Sequence, residues 1–396
     1  MKGVRMAKTQ LIQLGKYYYP VHGGMETHLY DLCSQFKERY DIQVFVANTR
    51  PTTVSETVDG VPVKRLANWG ECFSSPVCPT FPLHLRRLAP NGPAIVQLHL
   101  PNPMAHLAYL WARPKGRLIL MWHSDIVRQK VLSKFYRKAI FDLLEQADCV
   151  VTTSPDYIRH SPFLSKFREK CVVVPLGIAV SKFQATPAVQ ARARKISETY
   201  GAPMVLFVGR FTYYKGLQVL LEAAKEIDGT ILLVGDGPLK KTLIEKIQGE
   251  GLHKKVRVLT NVCNGELAAY YHACEVFVLP STERSEAFGL VQLEAMACGK
   301  PVVSTDLKTG VPWVNQHGKT GRVIPVNQPQ KLALAVNGLL ADADERRRLG
   351  QNGRRRVLDT FAIEKVTQKM AQVYLQVLNG GVKTEDLESL NYEYSA

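Results

Sequence analysis

The sequence lacks long apolar segments and paired cysteines. No apolar run in its 396 residues approaches the ~20 residues that a membrane-spanning helix needs. The opening MKGVRMAKTQLIQLGKYYYP has no apolar stretch of signal-peptide length, so we expect a protein that is neither secreted nor membrane-spanning. The eight cysteines form no Cys-X-X-Cys pair and mostly lie in apolar text, which predicts buried free thiols in a reducing cytosol. A metal site at Cys72 and Cys78 would lack a second pair of ligands.

Acidic residues are also scarce. The chain has 35 Asp and Glu against 51 Lys and Arg, which gives a formal net charge of +16. Such a charge suits three kinds of partner: nucleic acid, an anionic membrane surface or a phosphorylated small molecule. The sequence contains no RNA-binding module and no zinc-finger spacing, so we expect no nucleic-acid partner.

The chain does contain a repeated strand–helix pattern. Hydrophobic residues make up 46% of it, which is enough for a core, and the length predicts two domains or one large one. Short apolar runs alternate with amphipathic stretches, which is typical of doubly wound parallel sheets. The predicted strands are Thr9–Leu14, Gln43–Ala47, Ala94–His99, Arg117–Trp122, Cys149–Thr153, Val172–Pro175, Met204–Gly209, Thr230–Gly235, Val256–Leu259, Glu275–Leu279 and Pro301–Ser304.

This alternation occurs twice and predicts an α/β protein with two Rossmann-like domains that face each other across a cleft. We expect the domains at residues 1–180 and 201–375, with a polar linker at 181–200 and a polar tail at 376–396. Ligands of open α/β sheets bind outside the carboxyl ends of the strands, so we expect the ligand between the domains.

Two strand ends in the second half carry groups suited to a phosphorylated ligand. In MVLFVGRFTYYKG, Arg210 and Lys215 follow a buried strand, and two cations there suit a diphosphate, although a solvated loop would also contain them. In ILLVGDGP, Gly235 and Gly237 would let the backbone approach a ligand closely, although a plain tight turn explains them equally well.

A third segment, SEAFGLVQLEAMACGK, places two carboxylates beside a helix start. The helix opens near residues 288–290, and its first backbone N–H groups form an anion site. Glu286 and Glu294 would flank that site, where carboxylates are stable if they accept hydrogen bonds from hydroxyls. The segment therefore indicates a polyhydroxylated, phosphorylated ligand such as a nucleotide sugar. The alternative is ordinary helix-start electrostatics with a second Glu by chance.

The spacing from Glu286 to Glu294 within SEAFGLVQLEAMACGKPVV resembles the signature of the retaining GT-B glycosyltransferases of family four. GRFTYYKG resembles that family's diphosphate-binding segment, and VGDGP, LPS, GKPVVST and HGKTGRVIPV lie where the family has them. PVHGGMETH, MWHSD and VVVPLGI are similar to its glycine loop, histidine-bearing strand end and inter-domain segment. One departure is Ala179, where the family often has Asp, which puts any role of that Asp at the domain junction in doubt.

The resemblance implies roles for individual residues. It places four residues in catalysis: His123, Arg210, Lys215 and Glu286. It implies a donor site made of Gly24, Arg210, Lys215, Gly235, Val262, Glu286, Phe288, Gly289, Leu290 and Glu294. Within that site the two cations would hold the diphosphate, Glu286 the sugar hydroxyls and Glu294 the ribose, while His123 would lie near the transferred sugar.

The resemblance further implies front-face attack without a covalent intermediate. We also expect transfer without a metal or another cofactor. Asp342-Ala343-Asp344 matches the metal-binding DxD pattern of another glycosyltransferase fold, but an N-cap followed by acidic residues explains it better. The weaker similarity of HSDIVRQK to exopolysaccharide and O-antigen enzymes favours mannose, and a GDP-sugar over a UDP-sugar. A nucleotide-sugar epimerase and a DNA-glucosylating GT-B enzyme are the alternative functions.

A basic stretch indicates how the acceptor is presented. RQKVLSKFYRK mixes apolar residues with cations, and such a helix can lie on an anionic membrane surface, although an ordinary amphipathic helix would also read this way. We therefore expect a peripheral protein at the cytoplasmic face of the cell membrane, with a saccharide acceptor carried on polyprenyl diphosphate. The residues expected to face the acceptor or the membrane are Gly23, Arg128, Lys130, Lys134, Arg137 and Lys138.

Overall fold

A computed structural model describes residues 8–21, 23–72, 75–88, 94–125 and 133–380, which divide into two compact units. Of these residues, those up to Pro175 and those from Val366 onward form the first unit, and Leu176–Lys365 form the second. Each unit has a parallel sheet covered by helices, so the predicted pair of Rossmann-like domains is confirmed. Among the described residues, no helix is both long and apolar enough to cross a membrane.

The first unit is built on a sheet that has eight strands within the described residues, in the order β10-β9-β8-β7-β1-β2-β4-β3. All neighbours are parallel except β3 and β4. Its strands, with the small β5–β6 hairpin, are β1 (Gln10–Leu14), β2 (Asp41–Ala47), β3 (Val54–Val58), β4 (Val61–Leu66), β5 (Glu71–Cys72), β6 (Ser75–Pro76), β7 (Ala94–Leu100), β8 (Arg117–Trp122), β9 (Cys149–Thr152) and β10 (Cys171–Val173). Its helices before the second unit are α1 (Gly24–Phe36), α2 (Phe81–Arg86), α3 (Pro103–Ala112), α4 (Ser133–Gln146) and α5 (Pro155–His160).

The second unit has a wholly parallel sheet with six described strands, in the order β13-β12-β11-β14-β15-β16. Its helices are α6 (Pro187–Tyr200), α7 (Leu217–Ala224), α8 (Lys240–Gly249), α9 (Leu267–Ala273), α10 (Leu290–Ala297), α11 (Val311–Val314), α12 (Pro329–Ala341) and α13 (Ala343–Arg356). Its strands are β11 (Met204–Val208), β12 (Thr230–Val234), β13 (Val256–Leu259), β14 (Val276–Leu279), β15 (Val302–Thr305) and β16 (Gly321–Ile324). Strand order reverses between β11 and β14, and in the first sheet between β1 and β7, which are the positions where such folds bind ligands.

Local sequence signals explain where several helices begin. The Asn102 side chain accepts a hydrogen bond from the backbone N–H of Ala105 and caps α3, and Thr186 caps α6 in the same way through Val189. Asp342 accepts from the N–H groups of Asp344 and Glu345 at the start of α13. The prediction that this Asp is a helix cap is therefore confirmed.

The last helix, α14 (Ile363–Leu378), changes the predicted division of the chain. The boundary between the units falls inside it, after Lys365, because its apolar face packs on the first unit. The Tyr374 ring lies 5.4 Å from the ring of Phe36 and 5.5 Å from that of Tyr40. Residues 366–375 were predicted to belong to the second domain, and the structure places them with the first. Residues 381–396 of the predicted tail lie outside the described residues.

The predicted linker is also structured. Residues 181–200 contain the end of a 3₁₀ turn (Val180–Phe183) and all of α6, whose Ala193 and Ile196 are buried in the second unit. The first unit ends at Pro175 rather than at residue 180, because Ile178 already bonds to the second unit through Phe361 and Ile363. The cysteines are free, and all are buried except Cys72 and Cys263.

Candidate functional site

The loops that follow β11 and β14 bring Lys215 and Glu286 together. Lys215 Nζ lies 2.6 Å from Glu286 Oε2, and only 10% and 8% of the two side chains are exposed. The Ser281 hydroxyl donates to the same carboxylate oxygen over 2.8 Å. This buried ion pair therefore stands at the carboxyl end of the switch-point strands, where the fold binds ligands.

Glycine shapes the loop that carries Lys215. Gly216 has a φ of 67°, which favours glycine, and a Cβ there would collide with the carbonyl oxygen of Pro280. Two contacts fasten the loop to the segment after β14: the Thr282 N–H donates to the Tyr214 carbonyl over 2.8 Å, and the Tyr213 and Ser285 hydroxyls lie 3.2 Å apart. The ion pair is thus held by backbone that is itself closely packed.

The environment keeps Lys215 charged. Burial alone lowers the pKa of Lys215, but the Glu286 carboxylate, helped by Tyr214 and Glu294, outweighs burial, so the pKa is raised. A positive charge is therefore retained in a region that is largely closed to water. Such a fixed charge can attract and orient an anionic group.

The second carboxylate, Glu294 on α10, is bound by a tyrosine of α9. The Tyr271 hydroxyl donates to Glu294 Oε2 over 2.6 Å. Burial raises the pKa of Glu294 to about 7, although this hydrogen bond, Lys182 and Lys215 act in the opposite direction. The Glu294 carboxyl therefore titrates near neutral pH, and a change in its contacts with Tyr271, Lys182 or Lys215 would shift its protonation.

Three other predicted donor residues, Arg210, Gly235 and Val262, lie in the loops that follow β11, β12 and β13, at the carboxyl edge of the same sheet. Arg210 is exposed and directly follows Gly209, which is adjacent to Lys215: a Cβ at Gly209 would lie 3.6 Å from Lys215 Nζ. Gly235 packs against the Gly209 carbonyl, which leaves no room for a side chain. Val262 lies in the loop after β13 and is half-buried.

Phe288, Gly289 and Leu290 form the start of α10. The Phe288 side chain is buried against the rings of Trp313 and Phe361, so only its backbone can face a ligand. Gly289 precedes the helix with a φ of 73°, and Leu290 is its first residue. Sequence reasoning placed this helix start correctly.

His123 belongs to the first unit and follows β8 directly. It is 5% exposed, and its Nε2 lies 2.9 Å from Nδ1 of His99 on β7. The His28 ring of α1 packs edge-on against it, with 5.5 Å between ring centroids. Downstream, the Trp122 indole and the Ser161 hydroxyl both donate to Asp125 Oδ1, at 3.1 Å and 2.7 Å.

Gly23 and Gly24 open α1 as predicted, but a carboxylate of the same helix occupies that position. Gly23 is the N-cap and Gly24 the first helical residue. The Glu26 carboxylate folds back so closely that a Cβ on Gly23 would collide with it. Burial raises the pKa of Glu26, and a hydrogen bond from its own backbone N–H and the charge of Lys16 partly offset this. The helix start therefore already has an acidic neighbour.

The structure describes only part of the predicted basic stretch. Arg128 and Lys130 lie outside the described residues, and so does the side chain of Lys134. Arg137 and Lys138 are exposed on α4, and the Arg137 guanidinium carbon lies 5.8 Å from the centroid of the Phe141 ring.

Sequence reasoning missed several partners of the site. Ser281 lies in LPS directly after a strand, so its position was a usable signal. Tyr271 gave no signal, because only the packing of α9 beside α10 brings it to Glu294. Gln97 and His99 are polar residues two apart in the otherwise apolar strand AIVQLHL, a spacing that places both on one face of the sheet.

Two family descriptions match the chain in succession. Residues 22–182 match Glycosyltransferase Family 4, and residues 189–356 match Glycosyl transferases group 1. The chain is 33% identical to O-antigen chain mannosyltransferase C of Escherichia coli, over 93% of this chain and 99% of that protein. It is also 33% identical to D-rhamnosyltransferase WbpZ of Pseudomonas aeruginosa, over 86% of this chain and 88% of that one.

A third relative and two solved structures extend the comparison. The GDP-mannose-dependent alpha-(1-6)-phosphatidylinositol monomannoside mannosyltransferase of Mycobacterium tuberculosis is 30% identical over 74% of this chain and 79% of its own length. Sucrose-phosphate synthase from Thermosynechococcus elongatus superposes with a TM-score of 0.77 at 23% identity, covering 94% of this chain and all 100% of that one. Anabaena HepE in complex with UDP-glucose gives a TM-score of 0.74 at 20% identity, over 92% and 98% of the two chains. With two Rossmann-like units and similarity over nearly the whole length of curated relatives, the chain belongs to the GT-B glycosyltransferases, with a family four first half and a group 1 second half.

Proposed function

We propose that the protein is a retaining hexosyltransferase that transfers mannose from GDP-mannose to a saccharide acceptor in the synthesis of a bacterial surface polysaccharide. The observation that carries this proposal is the similarity to an O-antigen mannosyltransferase over 99% of that relative's length. A GDP-mannose-dependent relative supports the choice of donor. The second candidate sugar is D-rhamnose, which is mannose without its 6-hydroxyl, because another relative is a rhamnosyltransferase.

In the proposed donor complex, the second unit supplies the groups that hold the nucleotide sugar. Lys215 and the exposed Arg210 bind the diphosphate, together with backbone N–H groups at the start of α10. Glu286 accepts hydrogen bonds from sugar hydroxyls, and Glu294 accepts from the ribose. The loops at Gly235 and Val262 line the nucleoside.

We propose that transfer proceeds by front-face attack, as the family resemblance implies. The bond between the sugar C1 and the diphosphate oxygen breaks while the acceptor oxygen bonds to C1 from the same face. The acceptor proton passes to the leaving phosphate oxygen. Glu286 is not the nucleophile in this scheme, because the acceptor oxygen itself attacks C1 and no glycosyl-enzyme intermediate forms. The cations offset the charge that develops on the leaving group, so we propose that transfer needs no divalent metal.

A binding screen followed by product analysis tests the function. GDP-mannose at about a hundred times its dissociation constant should stabilise the protein by about 2.7 kcal/mol, whereas UDP-glucose and ADP-glucose should have little effect. Incubation with GDP-mannose and a soluble saccharide should then give a mannosylated product, detected by mass spectrometry. A GDP-rhamnose preference would replace mannose with the second candidate sugar. Conversion of the donor sugar without transfer would identify an epimerase and overturn the proposal.

We also propose that one face of the first unit docks on an anionic membrane, where a polyprenyl-diphosphate-linked acceptor is presented at the cytoplasmic leaflet. Helix α3 contacts α2, and it also contacts α4, where His106 bonds to the Tyr136 hydroxyl (2.8 Å) and the Ala139 carbonyl (2.9 Å). Leu83, Leu107 and Trp111 are each about half exposed on α2 and α3, and the Arg86 guanidinium carbon lies 5.3 Å from the centroid of the Trp111 ring.

The charge of this face suits anionic lipid. Residues 72–124 contain no Asp or Glu, and their basic residues are Arg86, Arg87, Arg113, Lys115 and Arg117. The exposed cations of α4 add to them. Of these cations, Arg117 is paired with Asp148 over 2.9 Å. Exposed apolar side chains, a tryptophan and an excess of cations are the composition that favours a membrane interface.

Vesicle sedimentation at low salt tests the docking face. The protein should sediment with phosphatidylglycerol vesicles and not with phosphatidylcholine vesicles, and Trp111→Ser should weaken that binding. Leu334→Ser is the matched control, because Leu334 is 73% exposed in the second unit and should not matter. Equal binding to neutral and anionic vesicles would count against the proposal.

A further inference from the structure

Buried polar side chains form a row on one face of the first unit's sheet. Gln13 of β1 and Gln97 of β7 are register partners at the switch point between these strands, and both are fully buried. His99 lies two residues beyond Gln97, on the same face, and is 1% exposed. A buried polar group is costly unless it is hydrogen-bonded, so the partners of these three residues determine what the row can do.

A chain of hydrogen bonds connects this row to α14 and to His123. The Tyr374 hydroxyl donates to Gln97 Oε1 over 2.5 Å and accepts from Gln13 Nε2 over 3.5 Å. Gln13 Oε1 then lies 2.9 Å from His99 Nε2, as an acceptor. His99 Nδ1 in turn lies 2.9 Å from His123 Nε2. Gln97 Nε2 also lies near His99 Nε2, at 3.4 Å. The shorter contact, to Gln13 Oε1, makes His99 Nε2 the donor, and this direction fixes that of the next bond.

The histidines of this hydrogen-bond chain, His99 and His123, are neutral, so each ring carries one proton. Burial, with a smaller effect of His28, lowers the pKa of His99 to about 3. Burial also lowers the pKa of His28 to about 4 and places the pKa of His123 well below its ordinary value. His99 uses its one proton at Nε2 to bond Gln13, and therefore accepts at Nδ1. His123 must donate from Nε2, which leaves a lone pair on its Nδ1.

That lone pair has no partner among the residues that the structure describes. His123 Nδ1 is nevertheless buried, at the carboxyl end of β8, on the edge of the sheet where ligands of this fold bind. We propose that Gln13 and His99 are positioning residues that hold His123 in the tautomer whose Nδ1 accepts a hydrogen bond from a sugar hydroxyl. The identity of this ligand rests on the proposed function, whereas the tautomer does not.

Nitrogen NMR of the free protein tests the tautomer directly. In protein labelled with ¹⁵N-histidine, long-range proton–nitrogen correlations distinguish a protonated ring nitrogen from an unprotonated one. The ten histidines can be assigned by single substitutions. We expect His99 and His123 both to be protonated at Nε2 and unprotonated at Nδ1. Protonation of both rings at Nδ1, as would follow if both glutamine amides were turned over, would overturn the proposal.

Two substitutions of His99 separate positioning from packing. The Oδ1 of an asparagine can replace Nδ1 as the acceptor for His123, so His99→Asn should keep kcat/KM within about twofold. His99→Leu removes the acceptor, should mix the tautomers of His123 and should lower kcat/KM at least about fivefold, the scale of one hydrogen bond. Equal losses in both variants would show that ring volume alone matters.

His106 supplies the matched control. It is also a buried, neutral histidine of the first unit, and burial lowers its pKa to about 4, but its hydrogen bonds to described residues stay within the α3–α4 pair. His106→Leu should lower the melting temperature without changing kcat/KM or the His123 nitrogen shifts. If no donor supports transfer, the proposed function fails, yet the His123 nitrogen signals of the wild type and of His99→Leu still decide the tautomer and its cause.

Discussion

Replacing Lys215 with alanine should cost both stability and turnover. At 2.6 Å and an effective dielectric constant of about 20, the gross attraction between Lys215 and Glu286 is about 6 kcal/mol, much of which desolvation offsets. Removing one partner of a buried pair typically costs about 3–5 kcal/mol, because the other charge stays buried. Ser281 still donates to Glu286 in this variant, so we expect the lower end of that range.

Calorimetry measures this loss of stability as a lower melting temperature. For a unit the size of Leu176–Lys365, each kcal/mol lowers the melting temperature by about 2–4 °C, so Lys215→Ala should lower it by about 6–12 °C. The double variant Lys215→Met with Glu286→Gln leaves no buried charge and should recover more than half of that loss. With the single variants Lys215→Met and Glu286→Gln it completes a double-mutant cycle, in which the two sites should be coupled by more than about 1.5 kcal/mol.

The matched control is Lys225, which pairs with Glu250 at 3.1 Å but is 56% exposed. Lys225→Ala should change the melting temperature very little, because exposed pairs contribute at most about 1 kcal/mol. In the transfer assay, Lys215→Ala should lower turnover at least about a hundredfold, as expected for the loss of one preorganised charge. A folded Lys215→Ala protein with near-normal turnover would refute the diphosphate role, and an unchanged melting temperature would refute the buried pair.

Three further predictions concern the same site. Folding raises the pKa of Glu294 from 4.5 to about 7 and so favours its protonated form. The contribution of Glu294 to folding stability should therefore decline as the pH rises from 4.5 to 7. Donor affinity, measured by calorimetry, should rise through about pH 7 as the carboxylate forms. Glu294→Gln should flatten that profile, whereas Tyr271→Phe, which removes the hydrogen bond that lowers the pKa, should move it to higher pH. NMR of the first-formed product should show the donor's anomeric configuration, and a glycosyl adduct trapped on Glu286 would contradict front-face attack. Chelation with EDTA should leave turnover unchanged, and a complete, reversible loss would contradict metal-independent transfer.

Sequence reasoning succeeded where periodicity and strand ends carry the information. The parallel strands and the start of α10 follow from apolar runs and from the glycine before the helix. The β3–β4 hairpin was missed although its signal was present: Asp59 and Gly60 have φ values of 47° and 83°, as a tight Asp-Gly hairpin turn requires. Its strand Val54–Val58 is largely exposed and has no apolar run.

Sequence patterns do not determine which helix packs on which sheet or beside which other helix. The amphipathic pattern of α14 predicts a helix with one buried face, but it does not say which sheet that face covers. Only packing places Tyr374 against Phe36 and assigns residues 366–380 to the first unit. Likewise, the bond between Tyr271 and Glu294 joins neighbouring helices at a spacing that no motif specifies.

The two units place opposite kinds of polar chemistry at equivalent positions. At the switch point of the second sheet, Lys215 and Glu286 are charged, and each offsets the cost of burying the other. At the switch point of the first sheet, Gln13, Gln97 and His99 are neutral, and burial keeps the imidazole uncharged. A diphosphate carries charge that must be balanced, whereas a hydroxyl needs only a correctly oriented acceptor. A charge introduced into the first row, as in Gln13→Glu, should therefore raise the pKa of His99 and draw a second proton onto its ring. His99 would then have no lone pair for His123, whose own ring would have to turn or change tautomer.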